Sequence, residues 1–252
     1  MSCLALALAV SVNGAVGLDV SDIMFVGYSS DGDTDDFSFV LFEDLTAGTE
    51  IRFTDHAWNG TAFDTSNINS DGEIVWTADS ALGAGSVVRI SMTTEQNTTA
   101  TFGSVSGSFG SSNLSGAGDV FFAFQGSLTS PSFIHGLNYR GAYNTPAVGS
   151  GFDSLLPDAL DVPNGNILVR SGSSPDNGEY TIDRELADFA DNKALISDRN
   201  NWFVSDDDFE LAYLTIPGPE DPGPVVPEPE TYSLILGAAA FLGLAFRRFR
   251  RA

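Results

Sequence analysis

The sequence predicts an all-β fold, a β-sandwich with one short helix, followed by a C-terminal transmembrane helix. Short apolar runs rich in Phe and Val alternate with turn residues through most of the chain, which has 26 Gly and 19 Phe among its 252 residues. Such runs with turns between them are typical of a sandwich. One stretch has the three-four spacing of a helix, and one apolar stretch near the end carries no charge.

The order of these features divides the sequence into four segments. An apolar start followed by small residues is typical of a leader, and a long acidic stretch with the strand-like runs comes after it. Prolines then precede the apolar end. We assign residues 1–17 to a signal peptide, 18–216 to the β-sandwich ectodomain, 217–226 to a Pro-rich linker and 227–252 to a sorting and anchor segment.

The leader has an apolar run at residues 4–12 and small residues at Ala15 and Gly17. Small residues at alternate positions mark the cleavage site of a secretory signal, so we expect cleavage after Gly17, with cleavage after Ala15 as the alternative. No Lys or Arg precedes the apolar run, and we therefore expect the true start to lie upstream of Met1.

Strands are predicted where apolar residues run or alternate between turn residues. Near-continuous apolar runs at 23–28 and 37–42 predict strands that are covered on both faces, and weak strands and loops are expected at 93–118. One helix is predicted at 183–196, with Asp183 as its cap. The predicted strands are 23–28, 37–42, 49–54, 73–77, 86–92, 119–125, 132–138, 166–171, 179–182, 202–204 and 209–216.

Charge and cysteine content exclude several classes of function. The net charge is −23, so nucleic acid is not an expected partner, because phosphate binding needs a cationic surface. Cations, neutral glycans or basic surfaces fit better, unless the acids are only a solvated coat. Cys3, the sole cysteine, lies in the leader, which excludes disulfides and cysteine metal sites from the mature protein. The sequence also lacks a phosphate loop and a Gly-x-Ser-x-Gly elbow.

The loop between the first two predicted strands carries closely spaced carboxylates. Carboxylates at alternate positions around a glycine can bring oxygen ligands together on Ca²⁺. The loop is not an EF-hand, because its flanks are strands and no Glu stands at the twelfth position. We predict a calcium site here, and the alternative is an acidic turn that only caps strands. A second acidic run at 206–208 can share a cation with another loop. The predicted ligands are Asp31, Asp33, Asp35 and Asp36.

Aromatic residues in loops or at strand ends are candidates for sugar binding, because their rings can stack on sugars. Trp58 and Trp202 are chosen on this ground, and the alternative is that they cover the ends of the sandwich. His56 beside Asp55 can form an acid–base pair, although adjacent residues of a strand point to opposite faces. His135 is expected to be a packed core histidine. We assign no catalytic residue.

The C-terminal segment has three parts in order: Pro227, Glu228 and Pro229, then an uncharged apolar run at 232–246, then Arg247, Arg248, Arg250 and Arg251. A helix of this run spans about 23 Å, short of the ~30 Å hydrocarbon core. Flanking Tyr and Arg side chains can still reach both interfaces. The cationic end should stay cytoplasmic and everything before the helix should lie outside.

This order of triplet, apolar helix and basic end closely resembles the PEP-CTERM sorting signal. The resemblance implies that an exosortase-type membrane protease recognises the triplet and processes the tail. It also implies an exported protein of a Gram-negative bacterium that builds exopolysaccharide, matrix or floc. The helix would hold the protein in the inner membrane in transit, the arginines would orient it, and the helix need not remain in the mature protein.

The ectodomain resembles a β-domain that recurs in bacterial exported proteins, through residues 22–60 and the later GEIVWT and GDVFFAFQG strands. It is similar in style to immunoglobulin-like lamin-tail sandwiches, which implies a fold and no activity. We therefore predict an exported cell-surface or extracellular-matrix protein, associated with exopolysaccharide, whose sandwich is a non-enzymatic structural or interaction module. The alternative is a carbohydrate-binding or carbohydrate-active module that acts on exopolysaccharide.

Overall fold

A computed structural model of the chain describes residues 15–31, 34–67, 71–93, 97–111, 113–144, 153–169, 175–181 and 189–207. The chain divides into two units, Met1–Pro219 and Glu220–Ala252, and the second unit lies wholly outside the described residues. Strands dominate the described part of the first unit, which contains one α-helix. The all-β prediction is confirmed.

The described strands form two six-stranded sheets. The strands are β1 (Ile23–Ser29), β2 (Thr34–Leu41), β3 (Glu50–Thr54), β4 (Glu73–Thr77), β5 (Val87–Thr93), β6 (Thr98–Ala100), β7 (Ser104–Ser108), β8 (Val120–Ser127), β9 (Ser130–Asn138), β10 (Asn166–Leu168), β11 (Asn177–Tyr180) and β12 (Trp202–Ser205). The first sheet has the order β12-β11-β1-β2-β5-β6 and the second β10-β9-β8-β3-β4-β7. Neighbouring strands are antiparallel except β9 and β10, which are parallel.

The main core lies between the two sheets and is centred on Phe25 of β1. The ring centroid of Phe25 lies 5.9 Å from that of Phe37 in the same sheet and 4.6 Å from that of Phe121 in the opposite sheet. β1 and β2 are buried along nearly their whole length. Because side chains of a strand alternate between its faces, both faces of these strands must be covered, as their apolar runs predict.

A second apolar cluster covers the other face of the second sheet. Leu160 lies in a 3-10 turn, Asp158–Leu160, and a Cβ on Gly136 of β9 would lie 3.3 Å from its side chain. The loop after β9 therefore packs onto the sheet. The buried members of the cluster are Phe63, Val120, Phe122, Phe124, Phe133 and Leu160.

The strand predictions agree with the structure to within a few residues, apart from 209–216, which lies outside the described part. The region 93–118 contains the short strands β6 and β7. The predicted helix is wrong in its extent among the described residues, because Phe189–Asp191 is a 3-10 turn and α1 spans only Asn192–Ile196. Asp183, the predicted cap, lies outside the described residues.

The short helix is held by buried polar and charged contacts. Asn192 is fully buried, and its side-chain oxygen accepts a hydrogen bond from the Tyr180 hydroxyl at 3.3 Å. Lys193 Nζ lies 3.7 Å from Asp22 Oδ1 and 5.0 Å from the centre of the Phe42 ring. In the described part of the chain no helix is long and apolar enough to cross a membrane, and the predicted span at 232–246 lies outside that part.

Candidate functional site

Most of the buried acidic residues lie at one end of the sandwich, here called the acidic end. In the first sheet, β1 ends there and β2 and β11 begin there. In the second sheet, β3 and β9 end there and β4 and β8 begin there. Two contacts join the sheets at this end. Tyr28 stacks on Tyr139 with ring centroids 4.3 Å apart, and Asp35 Oδ2 accepts a hydrogen bond from the Leu114 N–H at 3.0 Å.

Three acids from different loops form an outer acidic group, Asp31, Asp176 and Asp206. Partial burial raises the pKa of Asp176, and the charges of Asp31 and Asp206 raise it further. Asp31 follows β1, Asp176 precedes β11 and Asp206 follows β12, so adjacent strands of one sheet bring the three together. The predicted acidic loop and the predicted acidic run at 206–208 are therefore electrostatic neighbours, and a cation placed here would relieve their repulsion.

Asp35 and Asp36 lie in β2 and not in a loop, which departs from the predicted arrangement of calcium ligands. Adjacent residues of a strand point to opposite faces, so these two carboxylates do not converge. Asp36 Oδ2 pairs with the guanidinium of Arg89 on the neighbouring strand. Burial raises the pKa of Asp35 to about 7, with further contributions from Asp36 and Asp31, although its bond from Leu114 opposes the rise. Asp33 lies outside the described residues.

Three further acids form an inner acidic group, Asp55, Asp71 and Asp119, and all are at most 5% exposed. Asp55 Oδ1 accepts a hydrogen bond from the Gly72 N–H at 2.7 Å. Asp119 follows a turn, and its two oxygens accept hydrogen bonds from the N–H groups of Val120 and Ser115. Backbone donors thus fix the carboxyl groups of Asp55 and Asp119.

Burial and repulsion between carboxylates raise the proton affinity of Asp55 and Asp119. Burial raises the pKa of Asp55 well above its ordinary value, and the charges of Asp119 and Asp71 raise it further. Burial likewise raises the pKa of Asp119, with a smaller contribution from Asp71, while its backbone hydrogen bonds and Arg140 act in the opposite direction. Carboxyl groups in this state hold protons at pH values where surface carboxylates are ionised.

The two histidines are both buried, at 3% exposure for His56 and 0% for His135. His56 Nδ1 lies 3.8 Å from Asp71 Oδ2, so the structure places it against Asp71. His135 Nδ1 accepts a hydrogen bond from the N–H of Phe25, where the pairing of β1 with β2 shifts register. Burial lowers the pKa of His135 to about 3, so it is neutral. The expectation of a packed core histidine at 135 agrees with this position.

The two tryptophans chosen for sugar stacking lie in different surroundings. Trp202 is 7% exposed and its indole N–H donates to the Ile196 carbonyl at 2.7 Å, so its ring packs in the main core and cannot present a face to a sugar. Trp58 is half-buried, with edge-to-face contacts to Phe63 and Phe133 at 5.3 and 5.1 Å. Trp58 alone therefore keeps partial access to solvent.

Among the described residues, no three His, Cys, Asp or Glu side chains are grouped closely enough to hold a metal ion. Asp33 and Asp208, which border the outer acidic group in sequence, lie outside that set. Calcium binding at Asp31 and Asp33 thus stays a prediction, and the three described members of the outer acidic group do not by themselves form a site.

Sequence reasoning missed three members of the two groups, Asp71, Asp119 and Asp176. Their isolated positions among 34 acidic residues give no sign of burial. The one usable signal is at Asp119, which directly precedes an apolar strand and follows the turn residues Ser115–Gly118 in the sequence.

A family model described as the PEP-CTERM protein-sorting motif matches residues 225–251. This match confirms the resemblance seen in the tail, and the chain carries that motif. The matched stretch contains the Pro-Glu-Pro triplet and the four arginines, all of which lie outside the described residues. No curated protein and no solved structure matches the chain.

Proposed function

We propose that this chain is an exported protein that an exosortase-type membrane protease sorts and processes, and that its sandwich is a non-enzymatic structural or interaction module at the cell surface or in the extracellular matrix. The observation that carries the proposal is the sorting motif at 225–251, placed after a β-rich unit that buries its own core. We further propose that the matrix is exopolysaccharide and that the sandwich is of the immunoglobulin-like, lamin-tail type.

Each part of the tail has a role in the proposal. Pro227, Glu228 and Pro229 are recognised by the protease, and the apolar run at 232–246 crosses the inner membrane as a transmembrane helix. The terminal arginines hold that end in the cytoplasm, because cationic flanks stay on the cytoplasmic side. The ectodomain then faces outward and is released or anchored after processing.

A non-enzymatic role for the sandwich is supported by what its polar groups do in the described structure. Both histidines are buried, and the inner acidic group is covered from solvent. These groups contribute internal hydrogen bonds and charge interactions and are not displayed in an open cleft. An acidic β-domain that keeps these groups covered from solvent suits a scaffold that is held in a hydrated matrix.

Calcium is proposed as a stabiliser of the acidic end. Support comes from the outer acidic group. Burial raises the pKa of Asp176 there, and the charges of Asp31 and Asp206 raise it further. Oxygen ligands supplied by several loops are what Ca²⁺ uses in proteins. Binding there would tie the loops after β1 and β12 to the loop before β11.

The experiment that tests the proposal is fractionation of a Gram-negative host that has an exosortase. We compare the full chain with a variant that lacks residues 226–252 and with a matched variant in which only Glu228 is changed to Ala. The full chain should reach the cell surface or matrix, whereas both variants should not. Equal surface delivery of all three would overturn the proposal.

The role of the ectodomain is tested on the purified chain. Incubation with exopolysaccharide should yield no new reducing ends, and a glycan array should show no binding that depends on Trp58. Turnover of a polysaccharide, or binding that Trp58→Ala abolishes, would replace the proposal with a carbohydrate-active or carbohydrate-binding module.

A further inference from the structure

The first described residues, 15–18, lie against the folded domain and form hydrogen bonds with it. The Val16 N–H donates to Thr49 Oγ1 at 3.2 Å, and the Val16 carbonyl accepts from Gln125 Nε2 at 2.9 Å. Gln125 Oε1 also accepts a hydrogen bond from the Leu18 N–H at 2.9 Å. One side-chain amide thus binds a backbone carbonyl and a backbone N–H two residues apart, as a neighbouring strand would.

The side chains of this segment alternate between the core and solvent. Val16 is half-buried and packs against the main core, and Leu18 is 4% exposed. Ala15, which precedes Val16, and Gly17, which lies between Val16 and Leu18, are exposed. The segment therefore belongs to the folded domain from Val16 onward, although the leader pattern favours a cut after Gly17.

We propose that signal peptidase cleaves the bond between Ala15 and Val16, and that the new α-ammonium group of Val16 is held by the Thr49 hydroxyl. The inference rests on the proposed export of the chain. Water adds across the amide, the C–N bond breaks, Ala15 leaves with the leader as a carboxylate, and the Val16 nitrogen becomes an ammonium group.

The position of the new charge favours this bond over the one after Gly17. A cavity of about 290 Å³ lies beside the segment and opens to solvent, and it is lined by Ala15, Glu50, Arg52 and Gln125 among others. Removal of Ala15, which lines this cavity, would leave the new ammonium group of Val16 beside the solvent of the cavity. A cut after Gly17 would instead place the charge on the part-buried Leu18 nitrogen, whose partner is the neutral amide oxygen of Gln125, and an ammonium group that is partly buried without a counter-charge is disfavoured.

A cut after Gly17 would also remove contacts that the domain makes. Val16 would be lost, so its apolar contact with the core and its two hydrogen bonds would be lost with it. A cut after Ala15 keeps both, and it converts the Val16 N–H into a stronger, charged donor toward Thr49.

The test is N-terminal sequencing of the full chain, recovered after export from a Gram-negative host. The inference expects Val-Gly-Leu-Asp-Val as the first residues. An exported chain that begins Leu-Asp-Val overturns the cleavage assignment alone. A chain that keeps its leader overturns the assignment and the proposed export together.

Two variants sharpen the test. A Cβ on Gly17 meets nothing within 4 Å, so Gly17→Gln is tolerated by the fold but removes the small residue needed for a cut after position 17. This variant should still be cleaved and should begin Val-Gln-Leu, and accumulation of uncleaved precursor would contradict the assignment. Gln125→Ala should lower the Tm of the mature chain by about 3–6 °C with an unchanged N-terminus. An unchanged Tm would refute the docking of the new N-terminus.

Discussion

Replacing Asp35 with Asn should stabilise the protein at pH 8 and leave its stability unchanged at pH 4. Burial raises the pKa of Asp35 from 3.8 to about 7 in the folded chain. The folded state therefore binds a proton that the unfolded state has released between these pH values. The stability that this proton contributes is fully present below pH 3.8 and is lost as pH rises through about 7.

The size of the effect follows from the same shift. A pKa difference of this size corresponds to about 4 kcal/mol at high pH, and solvent screening reduces this to about 2 kcal/mol. Asn keeps an oxygen that can accept the hydrogen bond from Leu114, so the substitution removes the charge and little else. The expected rise in Tm is about 4–8 °C at pH 8.

The assay is thermal unfolding in EDTA at both pH values, with Asp36→Asn as the matched control on the same strand. Asp36 pairs with Arg89 and both side chains are largely buried, so its substitution should lower the Tm at pH 8 by about 6 °C or more. A lower Tm for Asp35→Asn at pH 8, or an equal shift at both pH values, would refute the assignment of a raised pKa to Asp35.

Three further outcomes are expected. His135→Leu should lower stability by about 1–3 kcal/mol, because it removes the acceptor of the buried Phe25 N–H, and a chemical-denaturation curve that matches the parent would show that this bond is dispensable. Gly178→Ala should lower the Tm because its Cβ would overlap the Tyr28 ring. Gly83→Ala should have no effect, because its Cβ would lie 3.8 Å from Asp44 Oδ1, an ordinary contact distance, and equal melting of the two variants would contradict the packing. Millimolar calcium should raise the Tm by roughly 5–10 °C over EDTA if its concentration is about 100 times Kd, and an unchanged melt would mean that the outer acidic group binds no calcium.

The strands could be predicted from the sequence because the apolar residues in them indicate which positions are buried. β1 is apolar on both faces, β2 is apolar from Phe37 to Leu41 apart from Ser38, and both strands lie in the middle of their sheet, while β4 occupies the predicted residues. The edge strands β6 and β7 were expected only as weak elements, since their Ser, Thr and Gly residues have little apolar area to bury.

The acidic end could be predicted only in part. Asp31 and Asp206 were found because carboxylates cluster in their loops, but Asp35 and Asp36 belong to a strand whose start the turn-like residues concealed. Asp71 is buried without a local signal in the sequence, and the only local signal at Asp119 is its place between turn residues and an apolar strand. Trp202 was assigned to a surface because it stands at the end of a strand, whereas its N–H donates to the Ile196 carbonyl of the helix before it and its ring packs in the main core.

The measurement that tests the central claim most directly is the intact mass of the exported chain from two hosts that differ only in the exosortase. The account predicts that the chain is shortened within residues 225–251 only when the protease is present, and that Glu228→Ala abolishes this shortening. Identical masses from the two hosts would contradict it, because the tail would then not be the substrate of that protease.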